Sequence, residues 1–514
     1  MANLLSTLLN SSSALYAYQQ GLAVMQNNVA NASTPGYAKQ TLPLEAMPFD
    51  LTTGSSGGVR AGTVQSSRDQ FAEQEVRSQN TALGEASQNV NSLTAIQSQF
   101  DVTGTSGIAS SLNNLFQAFS AWGQSPTDPT ARQNVINQAG VVASSFQQAA
   151  ASLASTQQET EGQIQSTVNQ VNQLVQQLQG YNQQIDQGDR NDPGLDAQVN
   201  STLEQLSQYG SITATPDSSG SGAVDVFLNG QTPLLVGDQA YALGYGLEGP
   251  AATDPYQNAP PSAHIYASDG RDITAQTTGG QLGALLNIHN QVLPSYLGDG
   301  THQGDLNTLA QQFADRVNQL LTSGYTSDHS DGTDGSMPPS GLPLFQYGWM
   351  QVTADDGTVS TVPDYTHIAQ TLTVNPAITA DQLAAITGTP TSVDTQPVTL
   401  TGEVSNGVPL ALSNLANPTT AQDMVNGNTS YSSFYGNMAA RVGSALNDAT
   451  NDQQVRQSTL AQAQNLRQQT SGVDLDEEAM TMIQYQRAYE AVSKMITVLD
   501  TLTEDTINIL GTTT

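Results

Sequence analysis

The chain has no cysteine and very few basic residues. Its 514 residues include 13 lysines and arginines against 45 aspartates and glutamates, which gives a formal net charge of −32. Without cysteine there can be no disulfide, thiolate metal site or thiol nucleophile. The shortage of bases argues against binding to nucleic acid and to anionic membrane surfaces, because both attract basic proteins. We therefore expect neither nucleic acid nor membrane among the partners.

Long hydrophobic runs are also missing. No segment approaches the about 18 consecutive apolar residues typical of a membrane span. The N-terminal segment lacks a basic start, so if the chain is secreted we expect it to leave without a cleaved general secretory signal. Only 11% of residues are charged and 37% are hydrophobic. Amide and hydroxyl side chains therefore fill much of the surface, and the length suggests about three domains.

Motifs that carry chemistry are absent or incomplete. The five histidines have no metal-ligand spacing, and neither a nucleophile elbow nor a Walker loop occurs. The stretch Gly244–Gly249 fits G-x-G-x-x-G, but Pro250 follows it where a dinucleotide site needs a helix. The acids of loop 328–334 lack calcium-loop spacing and favour a solvated loop, although ion binding stays open there. We predict a non-enzyme with no catalytic residue, cofactor or metal.

Both ends of the chain read as long helices. Near the N-terminus, apolar positions alternate spacings of four and three and predict a coiled-coil helix ending before Pro35–Gly36. The members of this stripe are Leu4, Leu8, Ser11, Leu15, Tyr18, Leu22, Met25 and Val29. At the other end, Asp474 with Glu477 predicts an acidic capping box that starts the last helix.

The C-terminal helix carries two apolar stripes on different faces, so we expect it to need partners on more than one side. The first stripe is Met482, Tyr485, Tyr489, Val492, Ile496 and Leu499. The second is Met495, Val498, Leu502 and Ile509.

Between the ends, segments with helical sequence patterns alternate with segments with β-strand patterns. Asp128–Pro129 predicts a helix start, and Asn229–Gly230 between apolar runs predicts a hairpin. The predicted fold class is mainly α with inserted β: a terminal-helix coiled coil plus a helical bundle rod, with β-rich side domains. We assign 1–50 and 470–514 to the terminal coiled-coil domain, 51–205, 279–325 and 419–469 to the rod, and 206–278 and 326–418 to the β-rich outer part.

Two terminal motifs together resemble one protein family. The segment 27–37, NNVANASTPGY, is similar to the N-terminal signature of bacterial flagellar rod/hook axial proteins. The segment 471–489, from SGVDLDEE to MIQYQRAY, is similar to the matching C-terminal end. Between them, 125–133, 279–286, 293–294 and 306–318 resemble the hook-associated members of the family, which join hook to filament.

The resemblance implies a structural subunit of the bacterial flagellum at the hook–filament junction, extracellular after type III export. The implied partners are further copies in a helical ring, the hook protein, a second hook–filament junction protein, an export chaperone at the C-terminal helix and the export apparatus. The expected assembly seam comprises Leu8, Leu15, Leu22, Val29, Val492, Ile496, Leu499 and Leu502. The expected turn leaving the inner tube comprises Asn28, Asn31, Pro35, Gly36 and Tyr37.

Two other functions compete with this interpretation. A flagellar hook or rod protein shares the terminal motifs but is not expected to carry the middle ones. A secreted glycan- or metal-binding adhesin or hydrolase would place a convergent polar pocket in 206–278 or 326–418, independent of the terminal helices.

Overall fold

The fold is described from a computed structural model, which describes residues 2–50, 55–100, 106–188, 192–217, 222–251, 254–329, 336–353, 358–391 and 398–511. The helices are α1 Ala2–Asn31, α2 Gln70–Gln97, α3 Gly107–Gln124, α4 Pro129–Gln187, α5 Pro193–Tyr209, α6 Gly280–Asn287, α7 Pro294–Leu297, α8 Asp305–Thr322, α9 Ile368–Thr371, α10 Gly407–Asn414, α11 Tyr431–Ser471 and α12 Leu475–Gly511.

The strands are short and mostly paired in twos. They are β1 Gln40–Thr41, β2 Leu44–Asp50, β3 Ser55–Ala61, β4 Gln65–Ser66, β5 Ile212–Pro216, β6 Val224–Leu228, β7 Thr232–Val236, β8 Gln239–Ala240, β9 Gly244–Glu248, β10 Ser262–Tyr266, β11 Phe345–Gln346, β12 Trp349–Thr353, β13 Val359–Pro363, β14 Thr373–Val374, β15 Thr387–Pro390 and β16 Leu400–Val404. Strands β5 to β8 form an antiparallel four-stranded sheet in sequence order. The expected class, mainly α with inserted β, is confirmed.

Local capping signals start the long helices of the rod. Asp128 precedes the 59-residue helix α4, and its carboxylate accepts a hydrogen bond from the backbone N–H of Thr130, with Pro129 at the first helical position. Asp69 caps α2 in the same way by accepting from the N–H groups of Phe71 and Ala72. Each cap satisfies backbone donors that the first turn of a helix leaves without a partner.

One core joins the helices to the second β-rich segment. Phe313 of α8 is fully buried. Its ring lies 6.0 Å from that of Phe116 in α3, 5.8 Å from Phe345 in β11 and 5.2 Å from Tyr431 in α11. Tilted and edge-on aromatic pairs of this kind add to the stabilisation that burial provides. The inserted strand β11 is therefore anchored in the helical core.

A second core joins the C-terminal half of α4 to the four-stranded sheet. Buried apolar residues of α4, α5, α6, β6, β7 and β10 form it, with β8 and β9 packed against it through partly buried residues. Amides of α4 fix the sheet beside it: Asn182 donates to the carbonyls of Val224 and Gly237 and accepts from the N–H of Val224. Amide side chains of this helix thus bind neighbouring backbone.

The hairpin predicted at Asn229–Gly230 is confirmed. Asn229 and Gly230 have φ angles of 50° and 70°, and they connect β6 to β7, which pair from Leu228 to Thr232. Two successive positive φ angles are the requirement of a type I′ turn, which Asn-Gly meets at little cost.

Other elements differ from the expectation. Strands β1 to β4 lie in a region read as coiled coil and rod, and β3 packs along α1, where Asn10 donates to the carbonyl of Gly57. This segment is rich in Gly and Ser and has little apolar alternation, so no strand signal stands out. Asp331 and Asp334 of the acidic loop lie outside the described residues. None of the described helices is long and apolar enough to cross a membrane.

Candidate assembly site at the paired terminal helices

Helices α1 and α12 pack antiparallel, with Tyr18 opposite Tyr485 and Asn28 opposite Glu478. The buried face of α1 consists of Ser11, Ala14, Ala17, Gly21, Met25 and Asn28. It shares Ser11 and Met25 with the predicted stripe, but Ala14, Gly21 and Asn28 stand where Leu15, Leu22 and Val29 were expected.

Small side chains explain why the buried face is offset by one residue. A Cβ atom on Gly21 would lie 2.4 Å from Cε2 of Tyr485, so only glycine lets this tyrosine ring approach the backbone of α1. The rings of Tyr18 and Tyr485 lie 5.8 Å apart beside it. The ring of Tyr485 fills the space that the small residues of α1 leave. The pattern of apolar residues in α1 alone does not indicate this contact, so it predicted a face offset by one residue.

The predicted seam residues lie at different depths. Leu499 is buried, and Val492 and Ile496 are half-buried on the same face of α12 as Tyr485. On α1, the side chains of Leu8, Leu15 and Leu22 are half-buried. Val29 is 38% exposed and Leu502 is 48% exposed. Their role between subunits stays a prediction.

Both helices leave apolar side chains uncovered on the faces turned away from each other. On α12 these are Met480, Ile483, Met495, Val498 and Leu502, and on α1 they include Leu9 and Tyr16. Helix α1 contains no charged residue from Ala2 to Asn31. The pair therefore presents a long surface with exposed apolar residues and, on α1, no charge to desolvate.

Asn28 binds the base of the helix pair together. Its side chain is fully buried, and its amide nitrogen donates to the carbonyl of Gln40 at 2.8 Å and to the carboxylate of Glu478 at 3.1 Å. Its amide oxygen accepts from the N–H of Gln40 at 2.9 Å and from the hydroxyl of Tyr37 at 2.9 Å. All four hydrogen-bonding positions of the amide are used, which explains the choice of asparagine at a buried helical position.

Charged residues surround this asparagine. The side chain of Glu478 is 1% exposed, and Nζ of Lys39 lies 3.3 Å from Glu478 and 3.0 Å from Glu477. Burial, and then the charge of Glu478, raise the pKa of Tyr37 to about 12. Asp474 caps α12 by accepting from the N–H groups of Asp476 and Glu477. The carboxylate of Glu477 pairs with Lys39. The predicted capping box instead has this carboxylate accept from the backbone N–H of Asp474.

The turn that leaves α1 is held at each step. Asn31 donates to the carbonyl of Asn27 and accepts from the hydroxyl of Thr34, and the N–H of Tyr37 donates to the carbonyl of Thr34. Pro35 is exposed. Gly36 has a φ of +77°, and a Cβ atom there would lie 2.3 Å from the carbonyl oxygen of Ala197 in α5. Both the conformation and the contact require glycine.

A cluster of arginines and carboxylates, missed by the sequence interpretation, fixes this turn to the rod. Arg68 donates to the carbonyl of Gly36 at 2.6 Å and lies 2.5 Å from Glu73 and 2.7 Å from Asp196. Arg467 of α11 lies 3.3 Å from Glu73 and 2.7 Å from Glu204. These partners are up to about 400 residues apart in the chain, so no local pattern joins them. The one sequence signal for such a cluster is the scarcity of bases, which makes each arginine a candidate for a specific ion pair.

The inserted β segments offer no comparable site in the part of the chain that the structure describes. Among those residues, no three histidine, aspartate or glutamate side chains group as metal ligands. His264 pairs with Asp272 at 2.8 Å on the surface of the β9–β10 hairpin. The hydroxyl of Tyr266 donates to Glu248 beside it.

We expect Asn28→Ala to destabilise the base of the helix pair by about 1–3 kcal/mol, because it leaves buried partners without hydrogen bonds. Hydrogen exchange of backbone amides in α1 and at Gln40 measures this loss as faster exchange. Gln26→Ala, at an exposed position of the same helix, serves as the control. Equal exchange in the two variants would show that the Asn28 network contributes nothing.

Tyr37 also predicts an alkaline loss of stability. Its pKa is about 12 in the folded chain against an ordinary 10.0, so above 10.0 the unfolded state loses its proton first and the free energy of unfolding falls until about 12. In Tyr37→Phe this fall should be shallower. Denaturant unfolding followed across that pH range tests the difference, with Tyr16→Phe as the exposed control. Identical pH profiles for the wild type and Tyr37→Phe would contradict the expectation.

Three family models match separate parts of the chain. One described as "Flagellar hook-associated protein FlgK helical domain" matches residues 93–335. Another described as "Flagella basal body rod protein" matches 8–37, and a third described as "Flagellar basal body rod FlgEFG protein C-terminal" matches 465–509. The two rod models thus cover most of α1 and of α12, and the first covers most of the helical rod.

Full-length relatives agree with these matches. Flagellar hook-associated protein 1 of Bacillus subtilis strain 168 is 26% identical over 97% of both chains. The protein of the same name from Salmonella typhimurium is 25% identical over 98% of this chain and 100% of its own length. A solved structure entitled the flagellar hook junction protein FlgK from Burkholderia pseudomallei shares the fold, with a TM-score of 0.60 and 17% identity over 77% of this chain and 99% of its own. The chain therefore belongs to the flagellar hook-associated protein 1 family of structural proteins of the bacterial flagellum.

Proposed function

We propose that copies of this chain form a ring between hook and filament, assembled through the paired helices α1 and α12. The observation that carries the proposal is the uncovered apolar surface of that pair in a chain of the hook-associated family. Met480, Ile483 and Val498 of α12 are each at least half exposed. A helix that is apolar on two faces is stable in water only when both are covered. One face packs on α1, and a second copy covers the other.

In this proposal the two faces of α12 make different contacts. Val492, Ile496 and Leu499 stabilise the pair inside one chain, while Leu502 belongs to the contact between copies. On α1, Leu8, Leu15 and Leu22 border the buried face and remain partly open to a neighbour. Burial of such side chains at about 25 cal/mol per Å² provides the main driving force for assembly.

A position at the junction is favoured over one within the hook or the rod. The terminal models that match this chain carry the names of rod proteins, so the ends alone do not separate the alternatives. The model that matches 93–335 is named for a hook-associated protein, and it covers the rod helices α3, α4, α5 and α8. The hook protein and a second junction protein are the proposed neighbours on the two sides of the ring.

Export and chaperoning complete the proposal. A stripe of exposed apolar residues on α12 would aggregate before assembly if nothing covered it. A dedicated chaperone that binds α12 in the cell, followed by passage through the flagellar type III export apparatus, meets that need. No disulfide can hinder threading of the unfolded chain, because it contains no cysteine.

Charge on the outer face of α12 should block assembly while leaving the chain folded. We expect Val498→Glu to pair normally with α1, since Val498 is 59% exposed, yet to be lost from isolated flagella. Immunoblots of sheared flagella and swimming assays in a strain lacking the native copy measure this. Val359→Glu on β13, at a residue 57% exposed, provides the control. Wild-type amounts of the Val498 variant in flagella would refute the role of this face.

Removal of the gene tests the junction itself. We expect cells to build hooks without filaments and to release filament subunits into the medium, because the hook end then offers no surface that they can add to. Electron microscopy of cells and immunoblots of the medium record both effects. Wild-type filaments in the deletion strain would overturn the proposed position.

A further inference from the structure

A cavity of about 290 Å³ lies where α2, α5 and the start of the four-stranded sheet meet. One wall carries Arg77 of α2, whose residue is only 7% exposed. The remaining wall has apolar side chains, among them Ile185, Leu195, Val199 and Leu203, and polar ones, among them Asp192, Asp196 and Asn200. The volume is at the lower end of the range of about 300–1,000 Å³ found for small-molecule pockets.

The guanidinium of Arg77 has no hydrogen-bond partner among the described residues, although its neighbours Arg68 and Arg467 make several each. Burial lowers the pKa of Arg77, and the charges of Glu73 and Glu204 oppose that effect only in part. A buried charge without hydrogen bonds is costly, and native structures pair such groups with protein, water or ligand. The side chain of Arg77 thus has no hydrogen-bond acceptor in the described part of the protein, and the cavity beside it has room for one.

The carboxylates nearest the cavity are already committed. Asp192 caps α5 by accepting from the N–H groups of Gly194 and Leu195. Asp196 accepts from Arg68 with one oxygen and from Asn200 with the other. Glu73 pairs with Arg68 and Arg467. Among the charged side chains that line the cavity, Arg77 is the one without a hydrogen-bond partner in the part of the chain that the structure describes.

We propose that this cavity binds a small organic carboxylate whose charged end meets Arg77 and whose short apolar tail lies against Leu195, Val199 and Leu203. A carboxylate matches the planar guanidinium in a two-point hydrogen bond, and the apolar wall excludes water from it. A fully hydrated inorganic anion would leave the apolar wall unused. The site lies in the rod beside the Arg68 cluster, since Asp196 belongs to both, and its binding test does not depend on the proposed assembly.

Hexanoate and hexanamide are the probes, because they share a shape and differ in charge. We expect isothermal titration of the full-length chain to show one hexanoate bound per chain and hexanamide bound at least about tenfold more weakly. Arg77→Met should weaken hexanoate binding about tenfold or more, since a charged hydrogen bond is lost. Arg456→Met, an exposed arginine of α11 paired with Asp452, should bind as the wild type does.

These titrations distinguish a specific carboxylate site from a cavity that binds no ligand. Equal binding of both probes, no binding of hexanoate at millimolar concentrations, or unchanged affinity in Arg77→Met would each overturn the proposal. If Arg77→Met does not fold, Arg77→Lys and the comparison of hexanoate with hexanamide on the wild-type chain decide it. A thermal shift of the wild type by hexanoate alone gives a second readout that flagellar assembly does not affect.

Discussion

The ion-pair cluster around Arg68 is the constraint on which the arrangement of the chain depends. Its central pair is almost completely enclosed, since the side chains of Arg68 and Glu73 are 4% and 3% exposed. Enclosed charges are tolerated only when each is paired and hydrogen-bonded, so the elements that supply the partners must meet at one place. Those elements are the turn at Gly36, α2, α5 and α11. A chain with 13 basic residues uses two paired arginines, Arg68 and Arg467, here and so fixes where both of its ends leave the rod.

The register of the terminal helices follows from that anchor. The buried face of α1 is made of small residues such as Ala14, Ala17 and Gly21, which pack closely but distinguish poorly between one register and the next. Asn28 and Glu478 remove the ambiguity, because a slip of one turn would bury an amide and a carboxylate without partners. A buried polar residue that fixes the register of a coiled coil is the best supported use of such groups. The N–H of Lys39 also donates to the carbonyl of Ser471, which ties the two ends at the same level.

Signals contained in a few consecutive residues were predictable from the sequence. The caps at Asp128 and Asp474 depend on a side chain that bonds backbone within three residues, and the turn at Asn229–Gly230 depends on two residues that accept positive φ angles. The local sequence therefore determines all three. The terminal motifs were recognised for a related reason: Asn28 and Gly36 have roles that few other residues could fill. The offset of the α1 face was not predictable from α1, because it depends on the ring of Tyr485 in a helix more than 450 residues away. The Arg68 cluster escaped prediction for the same reason.

The unusual charge balance has a structural meaning at the level of many copies. Identical chains that stack closely bring identical surfaces together, and any charge on those surfaces is repeated at every contact. Helix α1 carries no charge at all, and its polar positions are Ser, Thr, Gln and Asn, besides two tyrosines. On α12, three of the acids lie in the first turn, where the helix dipole and Lys39 offset them. Arg487 and Lys494, seven residues apart, are exposed on α12 and form no ion pair within the described chain. The acidity of the protein is thus kept out of α1, and bases such as Lys39, Arg68 and Arg467 lie where helices meet.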